Sequence, residues 1–129
     1  MSLQKAPSPM LVGVRGATTV EQDSPEALKE SLTELFSAIA ERNNIAEDDV
    51  VSVFLTVTGD IHSVSPGKIL REQHGWHHVP IMCSMEPEIN GLPERCVRVL
   101  VQFESTRPRS ALKPVYMRGA ASLRPDLTG

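Results

Sequence analysis

A chain of 129 residues, 40% apolar and 22% charged, has room for one domain and a single modest core. No stretch approaches the roughly 18 apolar residues of a membrane span, and the first nine residues have no run of signal-peptide length, so the expected compartment is the cytoplasm. A net charge of −3 argues against general affinity for nucleic acid.

Residues 1–10 read as a mobile leader, and residues 11–129 as one domain with a mobile tail from about 122. Leu11–Thr18 is the first predicted strand, with Val12 and Val14 on one face and Gly13, Arg15 and Ala17 on the other. Ser24-Pro25-Glu26 then opens a helix, with serine as the cap, proline at the first helical position and an acid in the first turn. Leu28, Leu32, Leu35, Phe36 and Ile39 recur at three- and four-residue spacing and form one apolar stripe. Asn43-Asn44 ends this helix. Val50–Thr58 alternates as a strand, with Val51, Val53, Leu55 and Val57 expected on one side. Ser65-Pro66 repeats the cap signal for a short helix to about His74. Val79–Glu86 is a third strand, stopped by Pro87. After the Asn90-Gly91 turn, Arg95–Ser105 is the clearest strand: Val97, Val99, Val101 and Phe103 share one face, Cys96, Arg98, Leu100 and Gln102 the other. A last strand is expected over Val115–Ala121.

This order predicts an α+β fold, a mixed five-stranded sheet with one long helix on one face. One helix cannot cover both faces, so the other face must meet water or another subunit. That face carries Arg15 and Arg98. The basic residues themselves, nine arginines against four lysines, hint at a site for a small anion, because the guanidinium fork binds carboxylates bidentately.

Gly13-Val14-Arg15-Gly16-Ala17-Thr18-Thr19-Val20 resembles the opening strand of the monofunctional chorismate mutases of the trimeric α/β-barrel class. The resemblance continues in family order through Lys68-Ile69-Leu70-Arg71-Glu72, Gly75-Trp76, Val79-Pro80, Cys83, Glu86 and Cys96-Val97-Arg98-Val99. It ends with Val115-Tyr116 and Leu123-Arg124-Pro125-Asp126-Leu127, so nearly the whole chain is covered. The resemblance implies a homotrimeric pseudo-barrel with helices outside and three sites at the subunit contacts. It also implies the Claisen rearrangement of chorismate to prephenate, on the route to phenylalanine and tyrosine, with no cofactor, metal or covalent intermediate.

By the same resemblance, Arg98 faces the ether oxygen of the breaking C–O bond, and Glu86 accepts a hydrogen bond from the substrate's ring hydroxyl. Arg15 and Tyr116 reach substrate carboxylates, Cys83 lies near Glu86, and Lys68 and Arg71 sit at the pocket rim. Arg124 belongs to a C-terminal segment that folds over the pocket. Strand alternation sets Cys83 and Glu86, three apart, on opposite faces unless the strand bends or ends between them. Two positions depart from the family pattern. Ser65 replaces a large apolar residue at the pocket edge, and Met82 replaces a small hydroxyl residue; both bear on affinity.

Other readings of the same residues are weaker. His77-His78, Cys83 and Cys96 lack the paired short spacing of a zinc site, and both cysteines are expected as free thiols. A non-catalytic trimeric binding protein for a small carboxylate metabolite would keep the anion pocket without the turnover. The related trimeric fold of imine-hydrolysing enzymes also places a carboxylate-binding arginine between subunits. Arg98 and Glu86 together favour the mutase over both.

Overall fold

Ser24 begins the long helix as its sequence implies: its side-chain oxygen accepts a hydrogen bond from the Ala27 N–H at 3.2 Å, satisfying a donor that the first helical turn leaves open. The helix, α1 (Pro25–Asn43), ends where Asn44 takes a left-handed backbone, φ 54° and ψ 46°, and returns its N–H to the Ala40 carbonyl. The computed structural model describes residues 8–74 and 76–124. The other main elements are β1 (Met10–Thr19), β2 (Val50–Val57), α2 (Pro66–His74), β3 (Ile81–Met85), β4 (Cys96–Ser105) and β5 (Val115–Tyr116).

The strands form one sheet in the order β3-β2-β4-β1-β5. The pairs β2–β3 and β1–β5 are parallel, and β4 is antiparallel to both β1 and β2. This is the mixed five-stranded sheet expected from the sequence, with α1 across one face. Leu28, Leu32, Leu35, Phe36 and Ile39 of the helix bury against Val12, Val14, Val53, Leu55, Val97, Val99, Val101 and Phe103. Each such side chain contributes about 1.5–3 kcal/mol on leaving water. Trp76 closes the core beside α2, its ring edge-on to Phe36 with centroids 5.7 Å apart.

Gly16 lets β1 approach this layer. A Cβ there would lie 2.8 Å from the Ile39 Cδ1 and 3.0 Å from the Val115 carbonyl oxygen. Asn43, buried at the end of α1, fixes the approach to β5: its Nδ2 donates to the Lys113 carbonyl at 2.9 Å, and its Oδ1 accepts from the Lys113 N–H at 2.7 Å.

Four expectations need correction. Val51 does not share the inner face with Val53. Between the pairs Val50–Phe103 and Ser52–Gln102 the register slips by one residue, a β-bulge that turns Val50 inward and leaves Val51 41% exposed. The third strand starts at Ile81, two residues later than expected. The first begins at Met10, so Met10 belongs to the sheet and not to a leader; residues 1–7 lie outside the described residues.

The last strand ends after two residues. Arg118 adopts a φ of 52°, which an extended strand cannot contain, and its guanidinium is held by Glu34 at 3.1 Å and Glu30 at 3.6 Å on α1. The chain then turns through a 3-10 segment, Arg118–Leu123. Ala120 and Leu123 of this segment pack with Ala17, Cys96 and Tyr116 on the face opposite α1. The Tyr116 end of that face is thus covered by the protein's own chain. The expected mobile tail falls mostly on residues 125–129, outside the described residues.

Candidate active site

The face opposite α1 reads as rows of cross-strand neighbours. One row runs Ser84, Thr56, Arg98, Ala17, Tyr116 across all five strands; the next runs Met82, Phe54, Leu100, Arg15. Period-two alternation therefore puts Arg98, Arg15 and Tyr116 on one surface, as the strand patterns implied for the two arginines. Phe54 and Met82 are 44% and 66% exposed in the second row.

Glu86 joins the first row from the end of β3. Its N–H still donates to the Val57 carbonyl, at 2.8 Å, so the alternation of Met82 and Ser84 extends to it. Its carboxylate reaches over Thr56 to Arg98. Oε1 accepts from the Arg98 Nε at 2.6 Å and from the Thr56 hydroxyl at 2.5 Å. The Glu86 side chain is only 7% exposed, whereas Arg98 is 44% exposed. The acid is the buried anchor, and the guanidinium is the end that faces outward.

The Arg98 hydrogen bond holds the Glu86 carboxyl below its ordinary 4.5; burial opposes this, and the Thr56 hydroxyl adds to it. The same bond raises Arg98 further, against the effect of burial. Both groups are charged at neutral pH. Cys96, beneath the 3-10 segment, is a free thiol pushed up to about 11, chiefly by burial. Cys83 is also free, and burial raises it too. Neither thiol is poised as a thiolate nucleophile.

The remaining predicted site residues do not all gather here. Cys83 pairs in register with Leu55, an inner-face residue; β3 ends at Met85, yet the Glu86 N–H keeps the strand's pairing to Val57. Cys83 and Glu86 of one chain therefore lie on opposite faces. Lys68 and Arg71 are exposed on α2, which packs on α1 and β3. Lys68 stands 3.9 Å from Glu72, one helical turn on. Arg124 follows the 3-10 segment that borders the Tyr116 side. Arg98, Glu86, Arg15 and Tyr116 thus share the outer face, while Lys68, Arg71 and Cys83 belong to the α2–β3 border.

Thr56 is the residue the sequence reading passed over. Its signal was present but faint: a hydroxyl on the outer-face parity of a mostly apolar strand that carries a second hydroxyl, Ser52, on the same parity. Among the described residues, no cluster of three or more His, Cys, Asp or Glu is placed to hold a metal ion.

Residues 11–127 match the chorismate mutase type I family. This chain belongs to that family. It is 38% identical over 119 residues to the chorismate mutase AroH of Bacillus subtilis strain 168, covering 92% of this chain and 94% of that protein. It is 39% identical over 119 residues to the chorismate mutase AroH of Thermus thermophilus, covering 92% and 97% of the two. A solved chorismate mutase from Clostridium thermocellum superposes with a TM-score of 0.81 at 32% identity, covering 86% of this chain and 98% of that one. The likeness to type I chorismate mutases thus holds in sequence and in fold.

Proposed function

We infer that this chain is an enzyme that rearranges chorismate to prephenate, in pockets completed between copies of itself. The observation that carries this reading is the outward-facing Arg98 held on the buried Glu86, beside Arg15 and Tyr116 on a face that α1 leaves bare. The family match supports the reaction, and the non-catalytic binding reading is not favoured by it.

The reaction breaks a C–O bond and forms a C–C bond within one molecule, so no proton transfer or nucleophile is required. The protein can select the compact reactive conformer. It can also place fixed charge where the transition state polarises. Arg98 supplies that charge at the ether oxygen as negative charge gathers there. Its Nε is committed to Glu86, which fixes the plane of the guanidinium and leaves the Nη groups to point at substrate. Glu86, ionised at neutral pH, accepts the ring hydroxyl. Arg15 and Tyr116 take carboxylates, and Arg124 closes over the site.

The division of basic residues between the outer face and the α2–β3 border supports a pocket shared by neighbouring chains. In a homotrimer, Lys68, Arg71 and Cys83 of one copy would meet the Arg98 row of the next. A cytoplasmic location fits this reading; no described helix is long and apolar enough to cross a membrane. The test is the loss of chorismate absorbance with pure protein, read beside light scattering. Turnover above the uncatalysed rate and a mass about three times 14.1 kDa are expected. No turnover would overturn the activity, and a monomer's mass would overturn the shared pocket.

A further inference from the structure

Two donors from two strands converge on a single oxygen of Glu86. The Arg98 Nε comes from β4 and the Thr56 hydroxyl from β2, at 2.6 Å and 2.5 Å from Oε1. Thr56 and Arg98 are direct cross-strand partners, so the distance between the two donors is set by the sheet. Among the described residues both recorded contacts of this carboxylate fall on Oε1, and none on Oε2.

This arrangement is not the one that Arg98 and Glu86 would choose alone. A guanidinium and a carboxylate prefer a parallel two-bond fork. Such a fork would draw Oε2 onto an Nη group and turn part of both groups away from the open face. With both lone pairs of Oε1 taken, by the Thr56 hydroxyl and by the Arg98 Nε, the remaining acceptor capacity of the carboxylate lies on Oε2. The hydroxyl therefore helps fix which oxygen of Glu86 is anchored to the sheet.

We propose that Thr56 is a positioning residue, whose hydroxyl holds Glu86 by Oε1 so that Oε2 and the Arg98 Nη groups stay presented to substrate. This rests on the reading of Glu86 as the acceptor for the substrate's ring hydroxyl. Serine at this position keeps the hydroxyl; valine keeps the shape and the strand preference but removes it.

The test compares binding of two inhibitors, a cyclic dicarboxylate transition-state analogue and the same compound without its ring hydroxyl. Wild type, Thr56→Val, Thr56→Ser and Glu86→Gln are measured, with circular dichroism and melting curves as a check on folding. If Thr56→Val does not fold, Thr56→Ala takes its place. Wild type should prefer the hydroxylated analogue, and Thr56→Val should lose about tenfold of that preference and about tenfold in kcat. Thr56→Ser should restore both to within about twofold, and binding of the deoxy analogue should hardly change in either. Full preference in Thr56→Val, with preference lost in Glu86→Gln, would overturn the role of Thr56 and leave Glu86 standing. An equal fall in affinity for both analogues would show Thr56 to be merely structural. A wild-type enzyme blind to the hydroxyl would remove the Glu86 reading and this one with it.

Discussion

Arg98 meets Glu86 through the Nε edge of its guanidinium, 2.6 Å from Oε1, with the acid buried and the base half in solvent. The pair orients a cation; it is not a surface ion pair of negligible weight. Arg98→Ala should lower kcat by about 10²–10³, the usual loss for one fixed donor to a developing oxyanion. Arg98→Lys should recover little, because an ammonium has no planar edge to hold while its other donors point elsewhere. Steady-state rates on chorismate check both.

The same pair sets a pH dependence. Glu86 has its folded-state carboxyl below the ordinary 4.5. The stability it contributes is complete above the ordinary value and is lost as pH falls through the lower, folded value. The melting temperature should therefore decline below about pH 4.5, and Glu86→Gln should flatten that decline. Thermal melts at stepped pH values measure the difference. A wild-type curve parallel to that of Glu86→Gln would contradict it.

The bulge in β2 separates two valines two residues apart energetically. Val53 is 1% exposed and Val51 is 41% exposed. Val53→Ala should cost about 2 kcal/mol through lost burial and the cavity left behind. Val51→Ala should stay within about 0.5 kcal/mol in a dissociated chain. Denaturant titration of the two variants gives the comparison.

Asn43 ties α1 to the segment that leads into β5. Asn43→Ala would strand the Lys113 N–H and carbonyl that its side chain satisfies, at a cost of about 1–3 kcal/mol. Tyr116 lies three residues beyond this tie, so KM for chorismate should rise along with the loss of stability. Unfolding curves and KM measured on one preparation test the linkage.

Much of this was legible in the sequence because it follows from covalent geometry. The two-residue period of a strand put Arg15 and Arg98 on one face and Cys83 opposite Glu86. The cap at Ser24 and the stripe from Leu28 to Ile39 fixed α1. What escaped depends on partners distant in the chain. The bulge at Val51 exists only against β4, and the halt after Tyr116 depends on Arg118 reaching Glu30 and Glu34 on α1. Thr56 meets Glu86 across 30 residues of chain. The reaction itself came from family resemblance; alternation alone would have stopped at a sheet with arginines on one side.

The 3-10 segment covers only the Tyr116 end of the outer face, and Phe54, Met82 and Leu100 extend beyond its reach. If neighbouring copies cover that remainder, the fold's stability is a property of the solution as well as of the chain. Mass action then enters: diluting the protein from micromolar to nanomolar should lower its melting temperature, and a mutation deep in one core should first appear as dissociation. A variant that is folded at storage concentration thus fails in a dilute assay without any change at the Arg98 row.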